Sequence, residues 1–330
     1  MSIALKEKVD IKEDILFDLD KELLDILLKD RTSDKNIIWG IDDYKVYGNN
    51  FSATDYITIE SITGKNGNVI KPRIEKSREE QIVRIRQKAE VFTPSWICNK
   101  QNNLIDDDWF AKENIFNKET NKGWITNSKT IKFPKKLNKT WQDYVALTRM
   151  EITCGEAPYL TSRYDTVTGD YIEPMDRIGL LDRKLRIISE NTTTKEDWIN
   201  WAKVALENIY GYDWQGDNVL LARENILYTV LEHYESIFNE PLSITTMKDH
   251  AFIISWNIWQ MDGLKYVIPN SCKNKVKDEQ LTLFKTGTSN KECLGCQKDL
   301  PLEHSGVYCI IMDWKKHQKI RFVDLIYGVK

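Results

Sequence analysis

No stretch of this chain approaches the roughly 18 consecutive apolar residues that a membrane-crossing helix needs. The longest apolar runs, Ala251 to Ser255 and Val307 to Met312, fall far short, so no membrane partner is expected. A strong excess of either charge is also missing. The formal net charge is −3, and any contact with nucleic acid has to come from a local basic surface rather than the whole molecule. Met1 to Lys12 alternates charges without the apolar stretch of a secretory signal, from which a cytoplasmic location is expected. Internal repeats and low-complexity tracts are absent. The six cysteines are expected to be thiols or metal ligands in that reducing compartment.

What is present is the composition of an ordinary globular protein: 41% hydrophobic, 29% charged, 11 tryptophans. Its 330 residues suffice for one large domain or two ordinary ones. Ile15, Leu16, Leu19, Leu23, Leu24, Leu27 and Leu28 stand at helical spacing and predict one amphipathic helix over Ile11 to Asp30. Short alternations such as Tyr56-Ile57-Thr58-Ile59, with turns such as Gly64-Lys65-Asn66-Gly67, predict a small β-rich region between Asn36 and Ile74. A helix is expected over Ser77 to Lys88, and Asn99 to Lys139 reads as an irregular, polar connection.

From Trp141 the pattern becomes β then α. An apolar segment ends in Glu151, a helix is predicted over Lys195 to Asn208, a strand over Ile209 to Tyr212, a helix over Asp217 to Asn239 and a strand over Ala251 to Ser255. Such alternation predicts an α/β fold with a mostly parallel, Rossmann-like sheet. The expected organisation is a mixed α+β N-terminal region (1–88), a core (89–270) and a C-terminal knuckle with an edge hairpin (271–330).

Directly after the first of these strands, Glu151-Ile152-Thr153-Cys154-Gly155-Glu156-Ala157 combines an acid with small residues and a glycine. Small residues in such a turn let backbone approach a cofactor at the carboxyl end of a sheet; an ordinary tight turn is the plainer alternative. Gly211-Tyr212-Asp213-Trp214 closes the next strand, where a nucleoside-binding fold carries the acid that accepts from ribose hydroxyls, though a capping role also fits Asp213.

Glu151 to Leu160 resembles the cofactor motif of N6-adenine DNA methyltransferases, with Cys154, Gly155, Tyr159 and Leu160 in register. Upstream, Phe92-Thr93-Pro94 resembles the element that closes over the methionine part of S-adenosylmethionine in that class. Most of residues 36–330 is similar to bacterial proteins labelled restriction endonuclease subunit M, through Ile152 to Leu160, Arg163-Tyr164-Asp165 and Arg177 to Arg183. The resemblance implies that Phe92, Thr93, Pro94, Glu151, Thr153, Cys154, Gly155, Asp213 and Trp214 bind S-adenosylmethionine, and that the partners are DNA and a specificity or nuclease subunit. It further implies an Asn-Pro-Pro-aromatic loop after a strand, which holds an extruded adenine. Here Ser255-Trp256-Asn257-Ile258-Trp259 follows the expected strand without either proline. Asn257 is the expected amide acceptor and Trp259 the stacking ring; Ser255 in the Asn position, and Trp256 and Trp259 as core residues, are the alternatives.

Arg177, Arg183, Lys184 and Arg186 lie close together and either contact phosphates or, in the plainer reading, form a solvated helix face or an internal ion-pair set. Cys293-Leu294-Gly295-Cys296 is a metal-chelating pair, and Cys272, Cys293, Cys296 and Cys309 form the simplest structural zinc set, with His304 as the substitute if Cys272 is out of reach and free core thiols as the alternative. Two strands, Gly306 to Met312 and Lys319 to Ile326, are expected to form an edge hairpin around the basic turn Lys315 to Lys319. The leading functional expectation is a DNA adenine-N6 methyltransferase of a restriction-modification or related defence system. The other readings are a subunit that binds S-adenosylmethionine or DNA, has lost the loop and works with a partner, and a nuclease component.

Overall fold

The computed structural model describes residues 9, 12–88, 93–134, 138–272 and 293–328. Phe92, expected at the cofactor, lies outside the described residues. The chain opens with α1 (Glu13–Leu19) and α2 (Lys21–Leu28) rather than one helix. Asp20 breaks the run: its extended backbone (φ −167°) leaves the helix, and its carboxylate accepts from the Glu22 and Leu23 amides that open α2. A two-residue hairpin follows, β1 (Lys29–Asp30) with β2 (Lys35–Asn36).

Residues 37–74 are not β-rich. They hold turns, short 3₁₀ segments and α3 (Ile59–Ile62), with an isolated bridge between Ile38 and Tyr56. Thr58 and Ser61 form a reciprocal cap that turns the expected strand Tyr56–Ile59 into the start of a helix. Next come α4 (Arg78–Lys88) and α5 (Ser95–Phe110), then the hairpin β3 (Asn117–Thr120) with β4 (Gly123–Thr126). These last elements replace the expected irregular connection. The buried stripe of α5 is polar, Asn99, Asn102, Asn103 and Asp106, so apolar periodicity could not reveal it.

After α6 (Trp141–Val145) come β5 (Arg149–Ile152), α7 (Leu180–Asn191), α8 (Lys195–Glu207), β6 (Ile209–Asp213), α9 (Gly216–Phe238), α10 (Ile244–Asn257) and β7 (Ile258–Gln260). The three strands form one parallel sheet in the order β5-β6-β7, pairing Glu151 with Gly211 and Tyr212 with Trp259. The fold is therefore mixed α/β with a small parallel sheet. Ala251 to Ser255, expected as a strand, lies inside α10: Ser243 caps that helix, and Met247, His250, Ala251, Ile254 and Asn257 line its buried face at helical spacing.

The chain ends with α11 (Leu294–Lys298), the hairpin β8 (Ile310–Asp313) with β9 (Gln318–Arg321), and α12 (Phe322–Tyr327). The hairpin forms its own two-stranded sheet rather than extending the parallel one, and the second half of its expected second strand is α12. One apolar core runs from Leu16 through Trp39, Leu185 and Leu220 to Ile258. A second, smaller cluster joins Tyr212, Trp259 and Met261 to Cys309, Ile311 and Phe322. Among the described residues, no helix is long and apolar enough to cross a membrane.

Candidate cofactor and metal sites

The loop after β5 departs sharply from ordinary backbone. Thr153, Gly155 and Ala157 have φ of +48°, +53° and +64°, and each left-handed non-glycine residue costs on the order of 1 to 3 kcal/mol. Neighbouring strands hold this shape. The Cys154 amide donates to Tyr212 O (2.9 Å), the Gly155 amide to Asp213 Oδ2 (3.0 Å), and the Tyr159 and Leu160 amides to Glu151 Oε2 (both 3.2 Å). Glu151 and Asp213, on adjacent strands, thus act as acceptors for the loop between them.

Both acids are buried, and their ionisation shifts accordingly. Burial drives the Glu151 carboxyl up to about 8 against the pull of its two amide donors. Asp213 rises to about 6, again mainly through burial, opposed by the Gln215 and Gly155 amides and the Asn218 side chain. Oδ1 accepts from Gln215 and Asn218 and Oδ2 from Gly155, which leaves one acceptor position, on Oδ2. A side chain at Gly155 would meet nothing within 4 Å, so the loop presents an open side there.

Thr93 lies against this loop although it is distant in sequence. Its carbonyl accepts from Thr166 Oγ1 (3.0 Å) and Cys98 Sγ (3.6 Å), its side chain lies beside Tyr159, and Pro94 precedes α5, whose Ser95 amide donates to Asp165 (2.8 Å). Thr93, Pro94, Glu151, Thr153, Cys154, Gly155 and Asp213 are therefore linked around the C-terminal ends of β5 and β6. Thr153 is exposed, whereas Cys154 is buried against Gly211. Trp214 turns elsewhere: its indole donates to Gly40 O (2.9 Å) and ties β6 to the N-terminal segment.

The expected catalytic pair sits differently from the sequence reading. Asn257 closes α10, is 1% exposed, donates from Nδ2 to Leu206 O (2.8 Å) and accepts at Oδ1 from Trp314 Nε1 (2.8 Å). Both polar atoms of its amide are bonded in the interior, where a base has no access. Trp259, in the middle of β7, packs between Tyr212 and Phe322 and is 2% exposed. Ser255 is buried too and accepts from Arg31 Nε (2.7 Å).

The basic cluster is internal, as the ion-pair reading has it. Arg183 pairs with Asp106 at 2.5 Å and donates to Asn99 and Asn103; Lys184 donates to the Leu147 and Asn208 carbonyls; Arg186 donates to Glu190 and the Asn127 carbonyl. Arg177 and Arg163 both clasp Glu232. All are buried, so phosphates have no access.

Near the C-terminus, Cys272, Cys293, Cys296 and His304 bring their ligand atoms within 4.8 Å of one another. His304 Nδ1 stands 3.8, 3.7 and 3.6 Å from the three sulfurs. Tetrahedral zinc with its usual bond lengths to sulfur and imidazole nitrogen requires about 3.6 Å between those atoms. The donor set fits, so the cluster could hold a zinc ion. Two glycines permit it: a side chain at Gly295 would fall 2.7 Å from His304 Nδ1, and one at Gly306 would fall 2.9 Å from Cys272 Sγ. The Ser305 amide donates to Cys293 Sγ (3.0 Å), an outer bond of the kind that orients thiolate ligands.

Cys309 is not in this cluster. Its thiol donates to Gln260 O (3.4 Å) under the smaller core, and burial holds it protonated. Cys309 and Ile311 alternate as inward residues of the hairpin, a period-2 signal legible in Val307-Tyr308-Cys309-Ile310-Ile311, so His304 takes the place expected for Cys309.

Comparison with protein-family models, with curated proteins and with solved structures finds no match to this chain.

Proposed function

We propose that the chain is the S-adenosylmethionine-binding subunit of a bacterial DNA adenine-N6 methylation system and that transfer of the methyl group requires a partner. The single observation carrying this reading is the convergence of Thr93, Glu151, Gly155 and Asp213 at one end of a parallel sheet, in the order that the methyltransferase resemblance implies. Ligands of α/β sheets collect at that end.

The residues fit the ribose portion of the cofactor. Asp213 Oδ2 has one acceptor position left for a ribose hydroxyl, and Gly155 leaves its side of the loop open. When bound, the cofactor supplies an electrophilic methyl group. The chain's own part is to fix it: Glu151 and Asp213 hold the strained loop. The partner-dependent form of the reading is favoured over autonomous catalysis by Asn257, whose amide is buried and bonded to Leu206 and Trp314 in the interior.

In this reading one zinc ion, held by Cys272, Cys293, Cys296 and His304, is structural, because four protein ligands leave no position for water. Calorimetric titration with S-adenosylmethionine tests the proposal. Binding that weakens by about tenfold or more in Asp213→Ala is expected, at ~1.5 to 3 kcal/mol for a charged acceptor. Absence of binding by the unaltered chain refutes it. Methyl transfer to DNA by the chain alone, persisting in Asn257→Ala, would restore autonomous catalysis through other residues.

A further inference from the structure

A second site lies on the face of the sheet that the hairpin only partly covers. There a cleft of about 420 Å³ opens between Met150, Tyr210 and Trp259 on the three strands and Met312, Phe322 and Leu325 on the hairpin and α12. It begins beside Thr148 and Asn208, at the N-terminal ends of β5 and β6. At the usual rise per residue that is about 15 Å from the Thr153 loop, at the opposite end of the strands.

The cleft has the size and make-up of a small-molecule site, with apolar and aromatic walls and few polar groups. Most of those polar groups are already engaged. Tyr210 donates to Met312 O (3.1 Å), Trp314 donates to Asn257, Asn208 Nδ2 donates to Val204 O (2.9 Å), and Asp313 pairs with Lys316 (3.5 Å). Two charged groups remain available. Glu207 lines the cleft with only a 4.0 Å approach from Lys203, and burial raises its carboxyl above the usual range. Lys315, at the rim, has no ion pair among the described residues, and the exposed Lys316, His317 and Lys319 continue the basic turn beyond it.

We propose that this cleft binds a nucleotide: an amino-bearing base enters between Tyr210 and Trp314, donates to Glu207, and leaves its phosphate to Lys315. A planar aromatic body, a donor at one end and an anion at the other are the complement of these walls, this acid and this lysine. The inference goes beyond the cofactor reading and does not depend on it. Adenosine 5′-monophosphate, free or as part of a single strand, has this chemistry.

The test is calorimetric titration of the full chain with adenosine 5′-monophosphate, uridine 5′-monophosphate and an oligodeoxyadenylate. Adenosine monophosphate should bind, and uridine monophosphate more weakly. Lys315→Glu should weaken binding about tenfold or more, and Leu325→Trp, which fills the cleft from an exposed position, should abolish it. Glu207→Gln should remove the preference for the amino-bearing base. Unchanged melting temperatures establish that the variants are folded. An oligonucleotide that binds more tightly and loosens as salt rises supports a strand as the source of the base. One that fails to displace the monophosphate supports the free nucleotide.

The inference is overturned if the unaltered chain binds no monophosphate, if Leu325→Trp binds it normally, or if Asp213→Ala rather than Leu325→Trp removes it. Failure of S-adenosylmethionine to bind would sink the cofactor reading alone and leave these titrations interpretable.

Discussion

At the scale of single residues, two buried charges bear most on stability. Arg223 sits inside α9 and donates to four backbone carbonyls: Leu27 and Lys29 at the end of α2, and Ser255 and Ile258 at the end of α10. Two helix C-termini, each with unsatisfied carbonyls and a negative dipole end, thus meet one guanidinium. Burial lowers Arg223 to about 9, which still leaves it charged at neutral pH. Arg223→Met should cost on the order of 3 kcal/mol or more, since each abandoned carbonyl costs ~1 to 3 kcal/mol. Arg223→Lys should recover little, because one ammonium cannot span acceptors on both helices; urea unfolding measures both. Glu151 works in the opposite sense. Its folded value, about 8, lies above its ordinary 4.5, so the native state holds the proton more tightly, and its stability contribution is complete below 4.5 and lost as pH climbs to 8. Asp213 has the same sign but is spent by about 6, which leaves the interval from 6 to 8 to Glu151. Glu151→Gln, whose amide oxygen still accepts from Tyr159 and Leu160, should flatten the fall in stability across that interval and exceed the parent above pH 8. Parallel slopes for parent and variant would rule this out.

At the scale of elements, the knuckle supplies a sharp contrast between two ligand sets. His304→Ala and Gly295→Ala should each loosen the metal strongly, the first by removing a donor and the second by driving a methyl group to 2.7 Å from it. Cys309→Ala should leave one zinc per chain, since its thiol faces Gln260 instead. Elemental analysis after dialysis against a chelator reads all three; metal lost from the Cys309 variant and retained by the His304 variant would reinstate the all-cysteine set. The same comparison explains what the sequence could convey. Cysteine spacing announced a metal site but not which fourth ligand closes it, because Cys309 and His304 are both near in sequence and only packing separates them. Helix α8 was legible because its apolar period matches its buried face, Trp198, Ala202, Ala205 and Leu206, whereas β5 buries Glu151 and exposes Met150 and Ile152. By contrast, α5 presents asparagines to the interior, and Ala251 to Asn257 is an apolar run too short to distinguish strand from helix without its distant cap at Ser243. The basic cluster Arg177 to Arg186 could be read several ways because its partners Asp106 and Glu232 lie 77 and 55 residues away from Arg183 and Arg177.

At the scale of the whole molecule, the question is whether residues 1–88 fold apart from the rest. The contacts argue that they do not. Leu23, Leu24, Leu27 and Leu28 of α2 are completely buried in the core that also holds Ile226 of α9 and Ile254 of α10. Burying four leucines is worth roughly 6 to 12 kcal/mol in gross terms, comparable with the ~5 to 15 kcal/mol net stability of a typical domain. Polar ties reinforce the seam. Gln260 at the end of β7 accepts from the Ile38 amide (2.9 Å) and donates to the Ile38 carbonyl (2.8 Å), while Asp217, opening α9, is held by Tyr44 (2.5 Å) and Arg84 (2.6 Å). A fragment beginning at residue 89 would expose those apolar faces, strip Asp217 of Tyr44, Lys76 and Arg84 and take the Leu27 and Lys29 carbonyls from Arg223, so it should be insoluble or lack a cooperative melt. The full chain should instead unfold in one transition that includes both segments. Scanning calorimetry of the two proteins decides it: a soluble fragment with its own sharp transition near that of the full chain would establish residues 1–88 as a separable domain and make the α2 packing an interface between two folded bodies.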